Sequence, residues 1–201
     1  MFIRSQLPSP LGALDAVTSP AGLAVLDFSD NPERIARLAR ARLPGAALAA
    51  GPAPAQLVRA LSAYFDGQLD ALAGLELDLR GSAFELTVWR RLRAIPPGET
   101  LGYAALGREL GRPAAARAVG RANALNPVAL AVPCHRAIGA NGSLVGYAGG
   151  LERKRWLLEH EGALSRAPAL FARELAPAAM GAQGSRKNDF AEPTGAMRRE
   201  G

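Results

Sequence analysis

The hydrophobic periodicity of the chain changes at residue 81, which limits the protein to a fold with two unlike parts. Before residue 81 the apolar residues mark short extended segments and two helices, and after it they recur mostly at helical spacing. Strands are predicted at 2–7, 12–18 and 22–28, with a half-buried strand or extended connector at 75–79. We therefore predict an α/β domain with a supporting role in residues 1–80, and a mostly α domain in residues 81–165.

Two helices are predicted within the first 80 residues. Asn31 is a suitable N-cap, and Pro32 fits the first turn of the helix that follows it. Residues 44–54 are rich in Gly, Ala and Pro and are interpreted as a connection, and a second helix covers 55–65. Because none of these patterns is typical of catalysis, we expect the chemistry to lie in the second domain.

The second domain is predicted to begin and end with a helix. Ser82 and Glu85 form a capping box, so a helix starts there and continues until the prolines near residue 96. The last helix covers 151–160 and is closed by Gly162. A catalytic centre in this domain is therefore expected in the segments between these two helices.

Two short helical stretches between these helices have the outline of a helix-turn-helix. They cover residues 103–110 and 113–125, and Gly111-Arg112 separates them. Arg117 and Arg121 lie one turn apart on the second stretch, among small residues that would allow close approach to a groove. Helix pairs of this kind also occur in proteins that do not touch DNA, so the pattern alone leaves both possibilities open.

The positive charge is concentrated in the second domain. The 201-residue chain has a net charge of +6, and residues 80–165 hold 12 Lys and Arg against 6 Asp and Glu. Such an excess is typical of a nucleic-acid partner, although a solvated basic surface has the same composition. The chain has no apolar run near the ~20 residues of a membrane span, and its N-terminus does not have the layout of a signal peptide.

The only cysteine, Cys134, stands beside a histidine, His135. A single cysteine excludes an internal disulfide and fits a reducing cytoplasm, and two histidines in all make a structural zinc site improbable. A basic neighbour helps a thiol to ionise and act as a nucleophile, although a lone cysteine is more often a small buried hydrophobe. Residues 128–132 are predicted to form a buried strand that ends at Pro133 and presents Cys134.

Glu161 lies at the end of the last helix, where the helix dipole disfavours a carboxylate. It is either an ordinary surface glutamate or the group that orients His135, since a catalytic histidine needs such a partner.

Five blocks of the second domain occur together in one known family. They are IPPGET (95–100), ARAVG (116–120), NP (126–127), VPCHRAIGANGSLVGYAGG (132–150) and LERKRWLLEHEG (151–162). In this order and spacing the chain resembles the O6-alkylguanine-DNA alkyltransferases, also called methylated-DNA–protein-cysteine methyltransferases. The resemblance implies a ribonuclease-H-like N-terminal domain with a small antiparallel sheet, and a C-terminal domain with a winged-helix-like helix-turn-helix.

The resemblance also implies a role for individual residues. Cys134 would accept the alkyl group, with His135 acting as its base through a bridging water and Glu161 orienting His135. Asn126 would brace the loops of the site, and Tyr103 would rotate the phosphate of the target nucleotide and help to protonate the departing guanine. Arg117 would fill the gap left by the flipped base, and the helix bearing Ala116, Gly120 and Arg121 would enter the minor groove. The base pocket would be formed by Val145, Gly146, Tyr147, Ala148 and Gly149.

The implied reaction is a single displacement that consumes the protein. The thiolate attacks the alkyl carbon of O6-alkylguanine, with O4-alkylthymine as a second possible substrate, and a stable thioether forms. The implied partner is double-stranded DNA containing the lesion; we expect a cytoplasmic monomer without a membrane segment, cofactor or metal. Residues 166–201 lie outside the resemblance, and their composition predicts a disordered tail.

Two functions from other classes compete with this prediction. A plain DNA-binding regulator would use the helix pair and need no thiol. A thiol hydrolase would use Cys134, His135 and Glu161 and would turn over repeatedly.

Overall fold

The structure, a computed structural model, describes residues 1–165 of the 201-residue chain. The predicted disordered tail, residues 166–201, lies outside the described residues. Within residues 1–165, no helix combines the length and apolarity needed to cross a lipid bilayer.

The first part of the chain forms a four-stranded sheet. Its strands are β1 (Phe2–Leu7), β2 (Leu14–Ser19), β3 (Gly22–Phe28) and β4 (Leu48–Ala50), in the order β3-β2-β1-β4. The three predicted strands are confirmed and pair antiparallel. β4 pairs parallel with β1, so the sheet is mixed and not purely antiparallel as the resemblance implied. The expectation that residues 44–54 form only a connection was also wrong. The three residues of β4 are too short to show an alternating pattern.

Two helices pack with this sheet. They are α1 (Pro32–Arg42) and α2 (Ala55–Phe65). The side chain of Asn31 caps α1 by accepting a hydrogen bond from the main-chain N–H of Arg34, at 3.2 Å. Buried Leu61 and Tyr64 of α2 join a core that continues into the second domain.

Residues 75–79 form an extended connector rather than a strand of the sheet. Leu77 makes one parallel bridge to Leu23 of β3. Two main-chain hydrogen bonds hold the connector there, from Leu23 to Glu76 and from Asp78 to Leu23, each 2.9 Å. The first domain thus ends along the outer edge of β3.

The second part of the chain is mainly helical. It contains α3 (Ala83–Arg93), β5 (Leu101–Gly102), α4 (Tyr103–Glu109), α5 (Ala116–Ala124), β6 (Ala137–Ile138) and α6 (Leu151–His160). Both hydrogen bonds of the predicted capping box of α3 are present: the side chain of Ser82 accepts from the N–H of Glu85, and the side chain of Glu85 accepts from the N–H of Ser82. The short strands β5 and β6 pair parallel. The fold class predicted from the sequence, a small α/β domain followed by a helical domain, is confirmed.

The predicted helix over 113–125 is shorter in the structure, because α5 begins at Ala116. The main-chain N–H of Ala115 bonds the carbonyl of Arg112 in a turn, which delays the start of the helix. Gly107 lets α4 approach this turn: a Cβ there would lie 2.9 Å from the carbonyl oxygen of Arg112. The two helices are therefore closely packed at their junction.

The two parts of the chain are joined by main-chain hydrogen bonds and by the side chain of Arg34. Leu26 of β3 donates to Pro127 and accepts from Ala129, at 2.9 and 2.8 Å. The buried guanidinium of Arg34 bonds Asp27 at 2.7 Å. The same guanidinium donates to the main-chain oxygens of Ala124 at 2.9 Å and Asn126 at 3.1 Å. Residues before and after residue 81 therefore form one continuous core.

Candidate active site

Cys134 lies on a tight turn, so the predicted strand over 128–132 was wrong. The N–H of Val132 bonds the carbonyl of Val128 at 2.9 Å, and Leu130 takes a left-handed conformation with φ of 67°. Only Val128 makes a strand-like bridge, to Leu26. The turn leads into a short 3₁₀ helix, Cys134–Arg136, whose residues are all buried. The thiol is therefore presented by a folded turn and not by the end of a strand.

Asn126 holds this turn in shape. Its amide donates to the carbonyl of Val132 at 2.8 Å and accepts from the N–H of Val128 at 3.0 Å. It also reaches Cys134: burial raises the pKa of that thiol, and a hydrogen bond with Asn126 opposes the rise. The resting thiol is therefore protonated, and the reaction needs a base that removes its proton.

His135 has the position and charge state of such a base. The ring is fully buried, and its Nε2 lies 2.9 Å from Oε1 of Glu161. Burial lowers the pKa of His135 although Glu161 opposes this shift, so the imidazole is neutral near pH 7. Because an ionised carboxylate only accepts hydrogen bonds, the proton is assigned to Nε2. Nδ1 is then an acceptor, and it has no partner among residues 1–165.

Glu161 is buried and ionised at the end of α6. Arg136 donates to both of its oxygens, from Nε to Oε2 at 2.8 Å and from Nη2 to Oε1 at 2.9 Å. Tyr64 donates to Oε1 at 2.7 Å. Burial opposes ionisation, but the hydrogen bonds from His135 and Arg136 and the positive charge of Arg136 outweigh it and hold the pKa of Glu161 well below its usual range. The interpretation of Glu161 as a surface residue was therefore wrong.

Tyr103, at the start of α4, faces the loop predicted to form the base pocket. Its hydroxyl lies 3.5 Å from the carbonyl of Val145 and 3.4 Å from that of Gly146. Asn123 of α5 donates to the same hydroxyl at 3.3 Å. Burial, and then the nearby Cys134, raise the pKa of Tyr103 to about 12, so the phenol remains a proton donor at neutral pH.

The rest of the predicted pocket loop lies beside the histidine and the first domain. The ring of Tyr147 meets that of His135 edge-on, with centroids 6.4 Å apart. Gly149 is packed against Phe28 of β3, where a Cβ would lie 2.7 Å from the ring. Val145, Gly146 and Ala148 are exposed. The loop therefore has one side open to solvent and one side fixed to the protein core.

Sequence reasoning missed three residues that hold the site together: Tyr64, Arg136 and Lys154. Lys154 is fully buried and donates to the carbonyls of Ala137 and Val145, at 2.6 and 2.7 Å. Burial lowers its pKa to about 8, while Cys134 opposes the shift. Its spacing from buried Leu157 and Leu158, three and four residues on, was the available signal.

Four of the five residues predicted to contact DNA lie on α5, and the fifth, Tyr103, begins α4. Arg117 and Arg121 are exposed, whereas Ala116 and Gly120 are half-buried. A Cβ at Gly120 would lie 4.0 Å from the ring of Tyr103, so this face of α5 packs next to the start of α4. Within residues 1–165, no cluster of three or more His, Cys, Asp or Glu side chains is suited to a metal ion.

Two family profiles match nearly all of the described chain. Residues 3–79 match the ribonuclease-like domain of 6-O-methylguanine DNA methyltransferase, and residues 83–163 match its DNA-binding domain.

Individual relatives agree with these profiles. A methylated-DNA–protein-cysteine methyltransferase of Salmonella typhimurium strain LT2 is 42% identical over 166 residues, which are 81% of this chain and 97% of that protein. The crystal structure of Mycobacterium tuberculosis O6-methylguanine methyltransferase is 42% identical, with a TM-score of 0.68 over 84% of this chain and 96% of that one. The M. tuberculosis OGT protein in complex with DNA is 40% identical, with a TM-score of 0.68 over 80% and 93%. A thiol, a buried histidine and a buried carboxylate thus lie within the matched DNA-binding region, and the chain belongs to the 6-O-methylguanine DNA methyltransferase family.

Proposed function

We propose that this protein repairs O6-alkylguanine in double-stranded DNA by transferring the alkyl group to Sγ of its own Cys134. The observation that carries the proposal is the arrangement of hydrogen bonds around His135: Nε2 is bound by Glu161, and no group in the described part of the chain bonds the acceptor Nδ1. A buried imidazole in this state is suited to take a proton from a thiol on the same short turn.

Activation of the thiol begins with proton transfer to His135. Sγ of Cys134 gives its proton to Nδ1 of His135 through a bridging water, which leaves a thiolate and an imidazolium. The ionised carboxylate of Glu161 stabilises the imidazolium at Nε2, and the salt bridge from Arg136 keeps that carboxylate charged. The nearby positive charge of Lys154 favours the thiolate.

The displacement itself forms one bond and breaks one. The thiolate attacks the alkyl carbon, an S–C bond forms, and the bond from that carbon to O6 of guanine breaks. Tyr103, whose hydroxyl is a proton donor at neutral pH, protonates the departing guanine. The thioether does not hydrolyse, so each molecule reacts once.

DNA recognition is assigned to α5 and to the loop opposite it. The target nucleotide leaves the duplex at a cost of about a few kcal/mol. Arg117 fills the gap, while Ala116, Gly120 and Arg121 lie against the minor groove. The flipped base enters the pocket formed by residues 145–149. We further propose that residues 81–165 perform binding and chemistry, that residues 1–80 support them, and that the protein acts as a cytoplasmic monomer.

Mass spectrometry of the protein after mixing with an O6-methylguanine duplex tests the proposal. One CH₂ unit of added mass per protein molecule, located on the peptide that contains Cys134, is expected, and Cys134→Ser should gain none. Repeated demethylation without a protein adduct would instead identify a thiol hydrolase. DNA binding without loss of the methyl group would identify a regulator.

A further inference from the structure

Tyr64 brings a side chain of the first domain into the catalytic network. It lies on α2, 97 residues before Glu161, and its hydroxyl donates to Oε1 of that carboxylate at 2.7 Å. The side chain is 1% exposed, and its ring packs edge-on against Phe65 and His160, with centroids 5.2 and 5.3 Å apart. Burial, and then the charge of Glu161, raise the pKa of Tyr64, so the hydroxyl always presents its proton to the carboxylate.

Three donors share the one oxygen that serves the histidine. Oε1 of Glu161 accepts from Tyr64, from Nε2 of His135 and from Nη2 of Arg136, at 2.7, 2.9 and 2.9 Å. Oε2 accepts only from Arg136 among the described residues. Each donor on Oε1 draws on the same negative charge, so the bond from Tyr64 reduces the charge available to an imidazolium at His135.

We propose that Tyr64 is a positioning residue that acts through Glu161 to limit the ionisation of Cys134 before substrate binds. This role rests on the proposed function, because it concerns the same proton transfer from Cys134 to His135. Removing the hydroxyl leaves Glu161 fixed by the two hydrogen bonds of Arg136, so the carboxylate keeps its place. Without the hydrogen bond from Tyr64, the negative charge of Glu161 stabilises the imidazolium of His135 more strongly. The thiolate of Cys134 that forms with it is then also favoured.

Other charged groups around His135 are unchanged by a substitution at Tyr64. Glu161 raises the tendency of His135 to be protonated, and Arg136 and Lys154 lower it. On the remaining sides are the thiol of Cys134 and the ring of Tyr147. Among the described residues the hydroxyl of Tyr64 hydrogen-bonds to Glu161 and to none of these other groups, so a change in the titration of His135 reports mainly on that one hydrogen bond.

Tyr64→Phe removes the hydroxyl and keeps the ring. Two measurements are made on the full chain: the pH titration of the His135 imidazole by NMR, and the pH dependence of the rate of alkylation by free O6-benzylguanine. We expect the pKa of His135 to rise by about half a unit to one unit. The alkylation rate rises with pH, and we expect the midpoint of this rise to lie at a lower pH by a similar number of units. The variant should therefore react several-fold faster than wild type near neutral pH.

Phe65→Leu is the matched control. It disturbs the same aromatic cluster, since Phe65 contacts Tyr64 and Trp156, but it leaves the carboxylate untouched. Its melting temperature should fall without a change in either pH profile. The proposal is overturned if the pH profiles of both variants are displaced equally. It is also overturned if the profiles of Tyr64→Phe are not displaced, or if its rate profile moves toward higher pH.

A second substitution gives a result of opposite sign and does not depend on the folding of Tyr64→Phe. Placing 3-fluorotyrosine at position 64 makes the phenol a stronger hydrogen-bond donor. The pKa of His135 should then fall, and the midpoint of the rate profile should move to a higher pH. If neither the pKa of His135 nor the midpoint of the rate profile changes in the 3-fluorotyrosine protein, the proposal is overturned as well. The NMR titration uses no substrate, so it separates this inference from the proposed function, which fails only if wild-type Cys134 is not alkylated.

Discussion

Nδ2 of Asn123 donates to the hydroxyl oxygen of Tyr103 at 3.3 Å, which links α5 to the start of α4. Both side chains are at least half-buried. Because the phenol oxygen accepts this bond, its own proton is available for another partner. A donor on the phenol oxygen also stabilises the phenolate, which makes Tyr103 a better acid than burial alone would allow.

Asn123→Leu should therefore slow the transfer step without weakening DNA binding. The loss of one hydrogen bond of about 1 kcal/mol corresponds to a rate about fivefold lower. Single-turnover rates on an O6-methylguanine duplex measure the effect, and the dissociation constant of the duplex should stay the same. In a Tyr103→Phe background the Asn123→Leu effect should vanish; an undiminished effect there would show that Asn123 acts elsewhere.

Glu161→Gln should raise the apparent pKa of Cys134 and slow alkyl transfer. The amide carries no charge, so the imidazolium of His135 and the thiolate that forms with it are less stable. A loss of about a hundredfold is expected, because it removes most of a general-base contribution. Absorbance titration of the thiolate and the rate with O6-benzylguanine measure both changes. Glu159→Gln, at the end of the same helix, is the control, and an unchanged thiol titration in Glu161→Gln contradicts the relay.

Glu85→Gln should reduce stability at neutral pH and have less effect in acid. Hydrogen bonds from Arg42, at 2.8 and 3.2 Å, hold the pKa of Glu85 below its usual value of 4.5. A carboxyl group with a lowered folded-state pKa stabilises the protein above its unfolded pKa, and this contribution is lost as the pH falls below about 4.5. The free energy of unfolding should drop by about 1–2 kcal/mol at pH 7. A difference between wild type and variant that stays constant down to pH 3 would contradict this.

Arg117→Ala should impair repair of duplex DNA and spare the reaction with a free base. A flipped base leaves a void in the stack, and the guanidinium of Arg117 is proposed to fill it, which O6-benzylguanine does not require. Repair of the duplex should slow by more than binding weakens. Arg121→Ala, one turn further along α5, should instead lower affinity for all DNA and reduce the salt slope by about one. Equal loss with both substrates would make Arg117 a structural residue.

Gly149→Ala should displace the pocket loop. A Cβ there would lie 2.7 Å from the ring of Phe28 and 2.8 Å from the ring of Tyr147, and Phe28 is buried in the core. We expect a destabilisation of about 1–3 kcal/mol and a lower rate with O6-benzylguanine. Thermal unfolding and the alkylation rate measure these effects. Gly74→Ala makes the same chemical change where no atom lies within 4 Å, and should alter neither.

Local signals in the sequence located most of the helices correctly. The helices over 55–65 and 151–160 have the predicted bounds, and the capping box of Ser82 and Glu85 is present. These features depend on neighbours within one turn. The strand predicted over 128–132 was wrong because its residues are buried on all sides, so their apolar pattern does not distinguish a strand from a tight turn. The left-handed Leu130 gives no signal in the sequence.

Only part of the candidate site could be predicted from the sequence, for a related reason. Cys134 and His135 are adjacent, and the family resemblance pointed to Glu161. Tyr64 was predicted only to lie in the helix over 55–65 and received no role in the site, because its polar partner lies 97 residues away. Arg136 likewise received no role, since its hydrogen bonds to Glu161 and to the carbonyl of Ile95 are set by tertiary packing.

The guanidinium of Arg34, bound to Asp27 and to the carbonyls of Ala124 and Asn126, has a consequence for folding. If residues 81–165 opened while the sheet stayed folded, Arg34 would keep Asp27 but lose the carbonyls of Ala124 and Asn126, and the apolar core that the two parts share would be exposed. Such a half-folded state is disfavoured. The two regions matched by separate family profiles should therefore melt in a single cooperative transition. Fragments divided at residue 80 should each be unstable alone and regain activity only when they are mixed.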